Sequence, residues 1–202
     1  MKKTIANVFL VLMVSLGLVA CGESEQTQVD LDPIAIHSGD ECHVCGMIIQ
    51  EWPGPKGEVI NAKTGQVLKF CSTADMFSWV LQPENKNLKA AIYVHDMTQN
   101  HWDKPNDEHL IDARTAWYVM GSDKMGMGPT FATFATEQAA QEFTQKHGGE
   151  VLAWDDITID TLRAITRLGI EYYMQHEDQP GVEHEHEHEQ HQDHHQEQHI
   201  HH

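Results

Sequence analysis

Apolar residues and charges are segregated along this 202-residue chain, and only its middle has the means to build a core. Met1 to Ala20 begins with Lys2 and Lys3 and continues as an apolar run from Ile5 to Leu18, broken by Asn7, Ser15 and Gly17. That pattern reads as a secretory signal peptide over 1–20. A membrane-crossing helix needs about 20 apolar residues, and here a cysteine and a polar stretch follow at once. The boundary Leu18-Val19-Ala20-Cys21-Gly22 has the form of a bacterial lipobox, in which Cys21 is lipidated and becomes the new N-terminus. Acylated Cys21 would anchor the protein to a membrane without spanning it, and Gly22 favours outer-membrane sorting over retention. Residues 21–37 then read as a polar tether with little to bury.

The other end is as one-sided. From Glu171 onward there is no Lys or Arg, while nine acidic residues and ten histidines occur, nine of the histidines between His184 and His202. Residues 175–202 offer no apolar set that could offset ordering entropy, so a disordered tail is expected there. Its histidines could collect Cu(II), Zn(II) or Ni(II) as neutral imidazole; the alternative is a solvated acidic tail. The formal charge of −18 divides into +2 for the signal, −9 from Glu171 onward, and −11 for the segment between. Such a balance excludes nucleic-acid binding by general electrostatics, which needs a basic surface.

The middle reads as α+β. Glu58 to Asn61 and Gln66 to Phe70 are strand-like and joined by Ala62-Lys63-Thr64-Gly65, which suits a hairpin turn. Ser72 is placed to cap a helix, with Asp75 three residues on as a short-armed capping box. Met76, Phe77 and Val80 give that helix an apolar stripe, Pro83 ends it, and Ala91 to Val94 reads as a third strand. The order recurs with Ala116 to Met120, Thr130 to Phe134, a helix from Thr136 to about Lys146, and Glu150 to Trp154. Phe70, Ser72 and Trp79 match Phe134, Thr136 and Phe143 at an offset of 64. Two ββαβ-type units in one compact body are therefore expected, over 38–105 and 106–160. A terminal helix over 161–174, capped by Asp156 or Asp160, completes the fold.

With Cys21 committed to lipid, Cys42, Cys45 and Cys71 remain, an odd number that argues against a complete disulfide framework. Cys42 and Cys45 stand in Glu41-Cys42-His43-Val44-Cys45-Gly46-Met47. Covalent haem attachment would want histidine where Gly46 stands. Thioredoxin-like chemistry wants a helix after the first cysteine, which Gly46, Ile48-Ile49, Pro53 and Pro55 discourage. A closed zinc site wants four N/S ligands; Cys42, Cys45 and Cys71 plus one histidine could supply them, but no second paired cysteine motif exists. Cuprous copper is soft and accepts thiolate and thioether together. Met47 follows Cys45 closely, and Met120, Met125 and Met127 crowd a Gly-rich polar segment where core packing does not explain them. His43 is the best ligand candidate among histidines before the tail, with His37 behind it. Cys71, just before the Ser72 cap, reads as a small buried residue.

These residues resemble the nitrous oxide reductase accessory copper lipoproteins, the NosL family. The resemblance rests on the lipobox at Cys21, Cys42-His43-Val44-Cys45-Gly46-Met47-Ile48, Pro53-Gly54-Pro55-Lys56-Gly57, Asp75-Met76-Phe77, and Met127-Gly128-Pro129 followed by Phe134-Ala135. It spans about Cys21 to Asp160 and implies a lipid-anchored periplasmic chaperone, not an enzyme. The implied cargo is one Cu(I), with the site on Cys45 and Met47, and Cys42 and Met127 taking part. The implied partners are nitrous oxide reductase and its membrane ABC-transporter assembly complex. The family's likeness to organomercurial lyase keeps thiol chemistry on Cys42, Cys45 and Cys71 as a rival, either disulfide exchange or carbon–mercury cleavage. A structural zinc module is the third reading.

Overall fold

The structure, a computed structural model, describes residues 29–176; the expected signal peptide, Cys21 and nearly all of the acidic histidine-rich segment lie outside the described residues. The first unit comprises β1 (Gly57–Asn61), β2 (Val67–Phe70), α1 (Thr73–Val80) and β3 (Ala90–His95). The second comprises β5 (Trp117–Met120), β8 (Ala132–Phe134), α2 (Glu137–His147) and β9 (Glu150–Ala153). In each, the first strand is central and antiparallel to both neighbours, giving the orders β2-β1-β3 and β8-β5-β9. The two helices are capped alike. Ser72 Oγ accepts from the Asp75 amide at 3.0 Å and Thr136 Oγ1 from the Ala139 amide at 3.2 Å, 64 positions on. Such a cap contributes about 1 kcal/mol and fixes where the helix begins.

The units differ where it matters. Residues 62–66 join β1 to β2 in a tight turn, with Gly65 at φ +70°. The corresponding link from β5 to β8 is longer and carries its own small hairpin, β6 (Met125–Gly126) and β7 (Gly128–Pro129). Met127 is its tip, and Gly128 supplies the φ of +98° that so sharp a reversal requires. A strand expected from Thr130 begins only at Ala132. Thr130 and Phe131 are diverted to the first unit, where Thr73 Oγ1 meets Thr130 Oγ1 at 2.9 Å and donates to the Phe131 carbonyl at 2.7 Å.

Two further elements depart from expectation. β4 (Leu110–Asp112) lies beyond residue 105 yet pairs with β3, so the first sheet draws on the segment expected to belong to the second unit. The terminal helix, α3, runs Ile159–His176. Its start is capped by Thr158, whose Oγ1 accepts from the Thr161 amide, and by neither expected aspartate. Asp156 instead accepts from the Ala153 amide, and Asp160 pairs with Arg163. Among the described residues no helix is long and apolar enough to cross a membrane.

Strand alternation in β5 organises the interior. Tyr118 and Met120 face the main core, with Phe77, Phe131, Ile92 and Ile165, whereas Trp117 and Val119 face a second cluster of Met97, Ala132, Phe134 and Ala140 beneath α2. That period of two lets one thin sheet cover two cores. The sheets meet where the Met97 amide donates to the Thr133 carbonyl and Thr133 Oγ1 to the His95 carbonyl. His95 is fully buried; its Nδ1 accepts from the Lys56 amide, so its Nε2 is left to donate to Asp107 at 3.0 Å.

Candidate metal centre

The loop before β1 is folded by its own backbone. Glu41 and Ile48 form an isolated bridge, the Cys42 amide donates to the Met47 carbonyl at 2.8 Å, and the Gly46 amide to the Cys42 carbonyl at 2.8 Å. Gly46 closes this turn at φ +73°, a conformation costly for any residue with a Cβ. The His43 amide donates to the Lys69 carbonyl and ties the loop to β2. β2 then delivers Cys71, and α1 delivers Asp75 one turn later.

The result is a cluster in which one ligand atom from each of Cys42, Cys45, Cys71 and Asp75 lies within 4.8 Å of every other. Cys45 Sγ is 3.5 Å from Cys71 Sγ, and Met127 Sδ is 3.7 Å from both. Asp75 Oδ2 accepts from the Cys71 thiol at 3.1 Å, and Cys42 Sγ lies 3.5 Å from the same oxygen. All three cysteines are free; Cys42 and Cys71 are buried and Cys45 is exposed. Asp75, expected to reach back and complete a capping box, thus spends its carboxylate on thiols. The short side chain follows a Cys–cap pair, and that adjacency was the signal available in Cys71-Ser72-Thr73-Ala74-Asp75.

Protons are unevenly held in this cluster. The Cys71 thiol and backbone amides favour the Cys42 anion, lowering its pKa to about 4 despite burial. Cys71 is pushed well up by its hydrogen bond to Cys42, by burial and by Asp75. Burial raises Cys45, and burial likewise raises Asp75. Close by, Lys56 is 3% exposed and donates to the Trp52 and Pro53 carbonyls. Burial lowers its pKa to about 8, while negative charge at Cys71 and Cys42 opposes that fall. A buried cation here offsets the charge of a thiolate-bound ion. Because a metal must displace thiol protons, binding should release about two protons per ion at pH 7 if all three thiols ligate. Affinity should then fall as pH is lowered; calorimetry in buffers of different ionisation enthalpy measures the count.

Of the residues singled out by sequence, Cys42, Cys45 and Met127 are brought together. Met125 sits in β6 with its carbonyl accepting from Trp102 Nε1, and it is Met127 that presents sulfur to the thiols. His43 is exposed and packs edge-on against Phe70 and Trp79, outside the ligand cluster. His37 is exposed as well. Met47 is 41% exposed and closes the loop through its carbonyl. Cys71, read as a small buried residue, is buried but lies at the centre of the cluster.

Fold and cluster together define a class: an α+β protein of two ββαβ units that gathers thiol and thioether donors suited to a soft metal, with a carboxylate beside them. Comparison with known proteins agrees. The NosL family model matches residues 33–162. A copper-binding lipoprotein NosL from Stutzerimonas stutzeri is 52% identical over 153 residues, 75% of this chain and 80% of the relative. The protein of that name from Achromobacter cycloclastes is 34% identical over 143 residues, 69% of this chain and 74% of the relative. The crystal structure of the copper chaperone NosL from Shewanella denitrificans superposes with TM-score 0.63 at 45% identity, covering 65% of this chain and 98% of that one. The chain belongs to the NosL family.

Proposed function

We propose that this protein is a periplasmic Cu(I) chaperone, lipid-anchored through Cys21, that delivers copper for assembly of the copper centres of nitrous oxide reductase. The observation that carries the reading is the approach of the Met127 thioether to within 3.7 Å of both Cys45 and Cys71. Cu(I) takes thiolate and thioether in low-coordinate sites, whereas zinc gains little from a thioether. The copper relatives named above support the cargo; the family resemblance supplies the enzyme and its ABC-transporter assembly complex as partners, and Gly22 after the lipobox cysteine favours the outer membrane as the anchor.

Ligand exchange explains the layout. Buried Cys42 and Cys71 hold the ion, and exposed Cys45 leaves a side from which a partner's ligand attacks before the old one departs. Met47, exposed on the same loop, is suited to that exchange. Met127→Leu is expected to weaken Cu(I) binding about tenfold, equivalent to about 1.4 kcal/mol, whereas Met47→Leu should chiefly slow transfer to an acceptor. Chelator competition with purified full-length protein reads the first and stopped-flow transfer the second. Binding of zinc in preference to Cu(I), or turnover of dithiol or organomercurial substrates, would replace this reading with one of its rivals.

A further inference from the structure

Cys42 is the near neighbour of Cys45 in sequence, but the fold turns the Cys45 thiol toward Cys71. The two sulfurs stand 3.5 Å apart, whereas Cys42 Sγ lies against Asp75 Oδ2 at the same distance. All three cysteines are free, and access separates them: Cys42 and Cys71 are buried and Cys45 is exposed. A reagent arriving from solution therefore meets Cys45 first, with Cys71 directly behind it. A disulfide is about 2.05 Å long, so the pair must close by about 1.5 Å. Cys45 has the freedom to supply that movement. It sits in an exposed turn beside Gly46, where even an added Cβ would meet nothing within 4 Å.

We propose that Cys45 and Cys71 form a disulfide in the metal-free protein, a redox modification that closes the sulfur site until a thiol reductant reopens it. The oxidant is a disulfide, RSSR, of the kind an oxidising compartment such as the periplasm sustains. The Cys45 thiolate attacks one sulfur of RSSR, whose S–S bond breaks, and RS⁻ leaves and takes up a proton. Cys71 Sγ then attacks Cys45 Sγ, passing its proton by way of the Asp75 carboxylate 3.1 Å away, and expels the second RS⁻ as RSH. Two protein thiols are oxidised and one RSSR is reduced to two RSH. Because the fold already holds both sulfurs together, the second attack is intramolecular and outruns capture of another RSSR.

The bond leaves only Cys42 and Met127 as sulfur donors of the cluster, so the oxidised protein holds a soft ion poorly. Conversely, an ion bound by Cys45 and Cys71 occupies the electron pairs that exchange requires, and the loaded protein is protected. This consequence rests on the proposed ligand role of Cys45 and Cys71; formation of the bond does not. The reaction is a stoichiometric change in the protein itself, with no partner's thiols turned over.

The test incubates full-length, metal-free protein with oxidised glutathione, blocks the remaining thiols with iodoacetamide and digests with trypsin without reduction. Cleavage after Lys56, Lys69 and Lys86 leaves Cys42 and Cys45 on one fragment and Cys71 on another, residues 70–86. Mass spectrometry should find these fragments joined, still joined in Cys42→Ser, and separate in Cys45→Ser. Preloading with one equivalent of Ag(I), a soft ion with no redox chemistry here, should prevent the link. In anaerobic chelator competition the oxidised protein should bind Cu(I) about a hundredfold more weakly than the reduced one, with dithiothreitol restoring the loss. A Cys42–Cys45 bond, which stays within one fragment, or glutathione retained on Cys45 beside a free Cys71, overturns the proposal. Reduced protein that prefers zinc to Cu(I) would overturn the copper reading and leave the cross-link in place.

Discussion

Cys71→Ser is expected to weaken Cu(I) binding by about a hundredfold to a thousandfold. Four-ligand structural zinc sites are worth about 10–16 kcal/mol at neutral pH; on that scale one thiolate among four ligands accounts for about 2.5–4 kcal/mol, and each 1.4 kcal/mol is tenfold. Serine suits the test because it fills nearly the same space and keeps a donor toward Asp75 Oδ2, which accepts from the native thiol at 3.1 Å. Its hydroxyl is a hard, weakly acidic ligand that a soft ion does not choose. The apo protein should therefore melt close to the wild type, within the 1 kcal/mol or so that one altered hydrogen bond is worth, while copper is lost. Chelator competition for Cu(I), run beside thermal melts of the metal-free proteins, reads both quantities. An unchanged affinity would return Cys71 to the role its position before the Ser72 cap advertises, a small buried residue behind Phe70.

That residue also shows where sequence reasoning stops. Local rules find what neighbours in the chain decide: the Ser72 and Thr136 caps, the hairpin at Thr64-Gly65 and the alternating strands all stand at or near their expected positions. The Cys42–Cys45 pair is legible because both ligands sit on one turn. Cys71 and Asp75 join them only once β1 and β2 pair, bringing together Cys45 and Cys71 from 26 positions apart. In sequence each already has a sufficient local explanation, one as core and one as part of a cap, so the adjacency of Cys71 to the cap is the one local sign that they serve the site. Met127 was legible as a methionine out of place, yet its nearness to Cys45 spans 82 residues and depends on the extra β6–β7 hairpin in the second unit. β4 was missed because three residues, Leu110-Ile111-Asp112, carry too little alternation to register as a strand.

Phe77→Ala should lower the melting temperature of the metal-free protein by about 10–15 °C and should be largely repaired by Cu(I). Phe77 is fully buried, with ring centroids 5.2 Å from Tyr118, 5.5 Å from Phe131 and 5.0 Å from Trp154. Truncating such a ring costs about 3–5 kcal/mol in lost burial and cavity, and a domain of this size shifts by about 2–4 °C per kcal/mol. The loss is a large part of a total stability of about 5–15 kcal/mol. Its position couples it to function, because α1 carries Phe77 into the core and Asp75, two residues earlier, into the thiol cluster. An ion bound only by the folded state restores about 4.1 kcal/mol when free metal is a thousandfold above its dissociation constant. Cu(I) buffered at that level should thus return most of the lost stability. The Phe77→Ala, Cys71→Ser double variant should melt as low as Phe77→Ala alone and gain far less from copper. Differential scanning fluorimetry under anaerobic, copper-buffered conditions separates the cases: a single variant that Cu(I) fails to stabilise would mean that the ion does not draw on the folded arrangement of Cys42, Cys45, Cys71 and Met127.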